Sequence, residues 1–282
     1  MGGMAGQAWS WIQGEWMEGN PPIVGPLSHT LWLSSTVFDG ARAFQGVAPD
    51  LDLHCARAIR SAQVMGLEPM VTAGEIEELC WDGIRRFPKE AELYIRPMFY
   101  ADDGFVAPAP ESTRFVLSIY EDPLPQPTGF AACISTRRRP IPTMAPTEAK
   151  AACLYPNAGM ALTEARKRGF QNAIMLDVIG NVAEFATSNI FIAKDGVVRT
   201  PVPNGCFLNG ITRQRIIALL RNDGVTVEEC TLTPKDLLEA DEVFSTGNHA
   251  KCVPVTKVED RSFAAGPIFQ RARALYWEYA FR

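Results

Sequence analysis

Residues 147–155 read TEAKAACLY. A single lysine, Lys150, stands among alanines, and Tyr155 follows five residues later. Taken alone, the stretch reads as a lysine at a loop or strand end with its charged head in water. A second reading competes with it. A lysine kept from water is a stronger nucleophile, because desolvation disfavours the ammonium, and such an amine can form a Schiff base with a carbonyl group. What the surrounding chain supplies chooses between the two.

The chain has 282 residues, 47% hydrophobic and 21% charged, with a formal net charge of -5. That length allows a large core and suits two domains, and the composition is that of a soluble globular enzyme. The acidic balance speaks against a nucleic-acid partner. The seven cysteines are scattered, odd in number and form no CxxC. They point to a reduced, cytoplasmic setting and away from a disulfide framework or zinc site. His29, His54 and His249 are too few for a multi-histidine centre, so no metal is expected. The start, MGGMAGQAW, lacks the basic and apolar regions of a signal peptide. Gly6 stands where a myristoylation pattern wants Ser or Thr. No apolar run is long enough to span a membrane.

Residues 9–16 alternate apolar and polar around a Gln-Gly turn and predict a short hairpin. Residues 52–65 predict a helix, with Leu53, Ala56, Ile59 or Arg60, Ala62 and Val64 loosely at helical spacing and Gly66 as its stop. Thr72 and Glu75 form a capping box ahead of a second helix through Phe87, closed by Pro88. LYIRPMFY and RFVLSIY read as strands. Three prolines and a glycine in EDPLPQPTG, residues 121–129, read as an exposed linker. That sets one domain at 1–120 and another at 130–282. The second opens with the strand FAACIST, crosses RRRPIPTMAPTEAK and enters a helix over 157–168. Strands follow in NAIMLDV, VAEFATSNIFIA and VVRTP, separated by the turns IGN and KDG. GITRQRIIALLRNDG is a helix with glycine at each end, Thr233-Pro234 opens a short one, and residues 268–281 form a last helix whose aromatic stripe packs a core.

Two further features belong with Lys150. In GNVAEFATSN, Glu184 sits in a strand among apolar residues just after a turn. Alone it reads as a strand-edge glutamate facing water. If buried, it needs a cationic or hydrogen-bonding partner, and a protonated pyridine nitrogen is one. In LNGITRQ, Gly210 allows close backbone approach, and Ile211 and Thr212 begin a helix. Such a start is common, yet its free N–H groups, the Thr212 hydroxyl and the helix dipole together make an anion site. An amine, a carboxylate and a phosphate cradle are what pyridoxal phosphate needs from a protein.

The chain resembles the class IV, or fold type IV, pyridoxal-phosphate aminotransferases, most closely the branched-chain group. The resemblance runs through SHTLWLSSTVFDGARAF, HCARAIRSA, YIRPMF, AKAACLY, EARKRGFQNAIMLD, VAEFATSNIF, LNGITR and ADEVFSTGN, in matching order and spacing. It implies an α+β, two-domain fold: a smaller α/β N-terminal domain over 1–120, the linker 121–129, and a larger cofactor-binding domain over 130–282 with a β-barrel-like core. It implies Lys150 as the Schiff-base lysine and proton shuttle, Tyr155 near the cofactor's phenolic oxygen and Glu184 on the pyridine nitrogen. Arg57, Ile211, Thr212 and Asn248 are implied around the phosphate; Asn248 falls where the family often has a threonine. The implied reaction is ping-pong transamination between a small-molecule amino donor and a 2-oxo acid acceptor. The implied assembly is a homodimer or higher homo-oligomer with the active site at the dimer interface.

By the same resemblance, Phe38, Gly40, Arg42, Tyr94 and Arg96 match the branched-chain signature and imply an apolar side-chain pocket with cationic groups for carboxylates. On the residues alone, Phe38 and Tyr94 read equally as core aromatics and Arg96 as an arginine paired with an acid. His249 either lines the substrate pocket or points away from it. Leu33 stands where branched-chain enzymes commonly have a tyrosine, and the segment 121–129 is shorter than theirs. Relatives with this fold act on D-amino acids or (R)-amines, and aminodeoxychorismate lyases share it, so these stand as alternatives; YIRP and FDGAR speak against the lyase. Residues 137–140, RRRP, read as a solvated loop from which one arginine could reach a carboxylate.

Overall fold

The computed structural model describes residues 6–282. Residues 1–5, where the expected 1–120 domain begins and where most of the chain-start readings fall, lie outside the described residues. The chain packs into two compact units. The first runs through Leu124 and takes in Glu148–Cys153; the second comprises Pro125–Thr147 and Leu154–Arg282.

The first unit contains β1 (Ala8–Ile12), β2 (Glu15–Glu18), α1 (His29–Leu33), β3 (Val37–Phe38), β4 (Ala41–Ala43), α2 (Leu51–Val64), α3 (Ala73–Ile84), β5 (Leu93–Ala101) and β6 (Thr113–Glu121). Its sheet has the order β2-β1-β6-β5-β3, with β4 also on β5, and every pairing is antiparallel. The expected hairpin forms: Gln13 and Gly14 both take positive φ, 53° and 92°, the turn whose twist matches paired strands. Trp11 and Trp16 meet edge-on across it, centroids 5.6 Å apart. The capping box also forms, Glu75 N reaching Thr72 Oγ1 at 3.2 Å and Thr72 N reaching Glu75 Oε2 at 2.6 Å. α3 stops at Ile84, short of Phe87, because Arg86 and Phe87 bond three residues back to Gly83 and Ile84 and Pro88 disfavours helical backbone before it.

α2 keeps its expected span within one residue but turns a different face inward. Leu53 and Val64 are exposed, whereas Leu51, His54, Cys55, Arg57, Ala58, Ser61 and Ala62 are buried. The buried face includes polar side chains that carry hydrogen bonds, so counting apolar residues selects the wrong stripe. α1 has no counterpart among the sequence expectations; its five residues end at Ser34, whose φ is 56°.

The second unit contains β7 (Phe130–Arg138), α4 (Tyr155–Lys167), β8 (Asn172–Leu176), β9 (Val182–Phe185), β10 (Asn189–Lys194), β11 (Val197–Pro201), α5 (Ile211–Asn222), β12 (Val227–Cys230), α6 (Pro234–Leu238), β13 (Glu242–Gly247), β14 (Lys251–Val258), β15 (Arg261–Ser262) and α7 (Pro267–Ala280). The sheet order is β12-β11-β10-β13-β14-β7-β8-β9, with β15 on β14. The end strand β9 returns against β10 and β11, so the sheet curls into a half-barrel. Ile174, Phe185, Ile190, Ile192, Val243 and Val255 fill its inside. On the outside, α4 lays Ala158, Ala161 and Ala165 against Cys133, Ala173 and Met175. The fold class is α+β, as expected.

The run VAEFATSNIFIA is two strands rather than one. It turns at residues 186–188, where Phe185 N reaches Ser188 O at 2.8 Å and Ala186 N reaches Ala173 O at 2.8 Å. This corner sets Glu184 of β9 beside Asn189 of β10.

Candidate active site

Lys150 lies in an extended stretch held against β3. Val37 and Ala151 form an antiparallel bridge. Phe38 N donates to Lys150 O at 3.1 Å and Ala152 N to Thr36 O at 2.9 Å, while Lys150 N donates to Ser61 Oγ of α2 at 3.0 Å. Ala149 and Ala151 are buried, and in extended chain their neighbour faces the opposite way. Lys150 itself is half-buried. Its Nζ lies 4.9 Å from the centroid of the Phe38 ring, whose face attracts a cation and excludes water from that side.

Asp39 follows Phe38 and is fully buried. Arg57 donates to it through Nε at 2.7 Å and Nη2 at 2.9 Å, and His54 Nδ1 is 2.6 Å away. Burial pushes the Asp39 carboxyl pKa up, but Arg57 and His54 outweigh it and hold the carboxyl well below its ordinary range. Arg57 of α2 is thus fixed in plane by a carboxylate that meets it along two bonds.

Gly40 lies under the Tyr94 phenol, which a Cβ at that position would strike, reaching 2.8 Å from Cζ. Tyr94 stacks on Tyr120, centroids 5.5 Å apart. Arg96 sits 5.2 Å from the centroid of each ring and bonds the Tyr120 hydroxyl. Arg42 is fully buried, 5.8 Å from the Tyr94 centroid, and bonds both the carboxylate and the carbonyl of Asp122. Phe38, Gly40, Arg42, Tyr94 and Arg96 are therefore neighbours on β3, β4, β5 and their connections. Both arginines keep a buried Nε with no hydrogen bond among the described residues; through their other nitrogens Arg42 is engaged with Asp122 and Arg96 with the Tyr120 hydroxyl.

In the second unit, Glu184 is buried, 7% exposed. Arg139 Nε lies 3.2 Å from its Oε1, and Asn189 Nδ2 donates to its Oε2 at 3.2 Å. The RRRP run, expected as a solvated loop, instead ends β7: Arg137 and Arg138 are its exposed last residues, and Arg139 is buried with its Nε on Glu184. Asn189 Oδ1 accepts from Gly210 N at 3.2 Å. A Cβ at residue 210 would collide with that oxygen. Gly210 caps α5 without a side chain, leaving the first-turn amides of Ile211 and Thr212 without an intrahelical acceptor.

Asn189 pairs with Thr246 across β10 and β13. Thr246 Oγ1 and Asn248 Nδ2 are buried, and no hydrogen bond reaches either among the described residues. Asn248 Oδ1 accepts from Lys251 Nζ at 2.8 Å. His249, in the same turn, is exposed. Tyr155, the first residue of α4, is also exposed.

Chemically, the first unit presents an amine against an aromatic face and two arginines layered on tyrosines. The second presents a carboxylate with opposed charge and, linked to it through Asn189, an array of N–H and O–H donors suited to an anion. Sequence reasoning missed Asp39, His54, Arg139, Asn189, Thr246 and Lys251. Arg139 alone carried a signal, as one member of a basic run. Among the described residues, no group of three or more His, Cys, Asp and Glu side chains could hold a metal, and no helix is long and apolar enough to cross a membrane.

The sequence model of the family described as amino-transferase class IV matches residues 36–258. A branched-chain-amino-acid aminotransferase from Pseudomonas aeruginosa is 34% identical, over 95% of this chain and 91% of that protein. An aminotransferase from Brucella abortus, solved bound to the cofactor PLP, matches with a TM-score of 0.97 at 51% identity, over 98% of this chain and 100% of that one. A branched-chain aminotransferase from Thermoproteus uzoniensis, solved with norvaline, matches with a TM-score of 0.90 at 32% identity, over 98% and 96%.

Proposed function

This chain belongs to the class IV aminotransferases, and from that premise we propose that it moves an amino group between a hydrophobic, branched-chain-like amino acid and a 2-oxo acid by a ping-pong mechanism. Its cofactor is pyridoxal 5'-phosphate. The observation that carries the proposal is Lys150, whose backbone is fixed on β3 and α2 and whose amine lies against Phe38.

The residues present fit the cofactor. Glu184 is a buried carboxylate with Arg139 and Asn189 on its two oxygens, the partner a pyridinium N–H requires. Among the described residues, Thr246 Oγ1 and Asn248 Nδ2 are buried donors without an acceptor, as a phosphate contact needs. Ile211, Thr212 and Asn248 would hold the phosphate, with Arg57, and Tyr155 would meet the phenolic oxygen.

When bound, pyridoxal phosphate supplies the carbonyl that receives the amino group and the ring that accepts the electron pair released at the substrate carbon. The remaining work falls to the chain. Lys150 Nζ takes the proton from the substrate carbon and returns one as the acid. Glu184 presents fixed negative charge to the ring N–H, and its own position is set by Arg139 and Asn189. Tyr94 and Arg96, with Phe38, Gly40 and Arg42, form the proposed substrate side, where Arg96 handles a carboxylate and Arg42, engaged with Asp122, holds Tyr94. His249 is a proposed pocket residue on the turn beside Asn248.

The test is a half-reaction. The loaded protein is mixed separately with L-leucine, D-alanine and (R)-1-phenylethylamine, and its visible spectrum is followed. Fastest change with L-leucine supports the proposal. Fastest change with either of the others moves the substrate to the D-amino acids or (R)-amines, with the same lysine chemistry. Pyruvate released from aminodeoxychorismate without an acceptor would make the protein a lyase. Parallel initial-rate plots check the ping-pong order, and sedimentation checks the proposed homodimer.

A further inference from the structure

Lys251 begins β14 with φ of 62°, the left-handed region where glycine is usual after a three-residue hairpin loop. It is instead a lysine, 1% exposed. Its Nζ lies 2.8 Å from Asn248 Oδ1 and 5.5 Å from the centroid of Tyr276 on α7. An ammonium only donates. It therefore decides which end of the Asn248 amide faces it: Oδ1 turns toward Lys251, and Nδ2 turns away. Nδ2 is the buried donor that no hydrogen bond reaches among the described residues, and Thr246 Oγ1, at the end of β13, is another.

A hydroxyl rotates to suit its partner, but the two ends of an amide are not equivalent. An asparagine among phosphate donors needs its orientation imposed. We propose that Lys251 is a positioning residue for the cofactor phosphate, gripping Asn248 Oδ1 so that Nδ2 is donated to the phosphate. The proposal rests on the pyridoxal phosphate reading above. It accounts for a buried lysine at a backbone position that favours glycine.

The test separates the phosphate from the rest of the cofactor. Full-length protein freed of cofactor is titrated with pyridoxal phosphate and with pyridoxal, which lacks the phosphate, in wild type, Lys251→Met, Asn248→Ala and the double variant. Lys251→Met is expected to weaken pyridoxal phosphate binding about tenfold to a hundredfold, the range for a hydrogen bond from a charged group. Pyridoxal binding should change by less than about twofold, and Lys251→Met should add little once Asn248 is alanine, because it acts through that amide. Lys251→Gly, which suits the backbone, should repeat the phosphate-specific loss and so exclude misfolding. Unchanged affinity for pyridoxal phosphate, equal weakening of both ligands, or fully additive losses would overturn the proposal. A wild type that binds neither ligand would overturn the cofactor reading instead.

Discussion

Tyr94 leaves no room for a side chain at residue 40. Gly40→Ala brings a methyl within 2.8 Å of Tyr94 Cζ, so the ring must leave its place between Tyr120 and the two arginines. We expect kcat/KM to fall about 100-fold, as for small misplacements of positioning groups, with a loss of about 1–3 kcal/mol in urea unfolding from overpacking. An unchanged kcat/KM would remove Tyr94 from the substrate side. Glu184→Gln removes the charge opposite Arg139, 7% and 10% exposed at the two side chains. Its expected effects are about 3 kcal/mol of stability, from a broken buried pair, and a transamination rate lowered about 100- to 1,000-fold. Lys150 and Glu184 stand out in the sequence as candidates because each is a charge among small or apolar neighbours. Arg139 is not, because Arg137 and Arg138 look the same and only packing separates them. Asn189 and Lys251 read as ordinary strand and turn residues. Their significance appears only through register, which sets Asn189 opposite Thr246 and Lys251 opposite Gly247.

Local rules work where an element is decided by its own residues. The Gln13-Gly14 turn, the Thr72 and Thr233 caps and the glycine ahead of α5 all stand as expected, since each involves contacts within a few residues. Thr72→Ala should therefore cost about 1 kcal/mol in thermal or urea unfolding, with catalysis unchanged. A larger loss would show that the cap does more than end a helix. Elements decided from a distance are less legible. The buried face of α2 follows from Asp39, which binds Arg57 and His54 from the β3–β4 connection. The alanine face of α4 is similarly a response to the sheet beneath it. Ala161 is fully buried there, and Ala161→Leu should destabilise by about 1–3 kcal/mol through overpacking.

At the scale of the whole molecule, mixed strands and helices are legible from the residue patterns, whereas the α+β class and the barrel-like core are expected only through the family resemblance. Closure of that core depends on parallel pairing of β14 with β7 and β7 with β8, between segments far apart in the chain. Global stability should also carry the mark of Asp39. Its pKa is depressed below the ordinary 3.8, so its contribution is complete above that value and declines as pH falls below it, where the unfolded chain takes up the proton first. Urea midpoints measured from pH 6 to pH 3, about the range over which a carboxylate titrates, should fall more steeply in wild type than in Asp39→Asn, which starts lower because Arg57 loses its partner. Identical slopes would mean that Asp39 is not held as described. The segment 148–153 bears on how the gene could be divided. Severing the chain at Leu124–Pro125 cuts the boundary between the units only once, because the chain crosses it again before and after Lys150. The leading fragment would have β3 without its companion backbone, and the trailing fragment would own Lys150 but not its seat. Two such halves could regain activity only by lending a strand, which makes this lysine a natural reporter for fragment complementation.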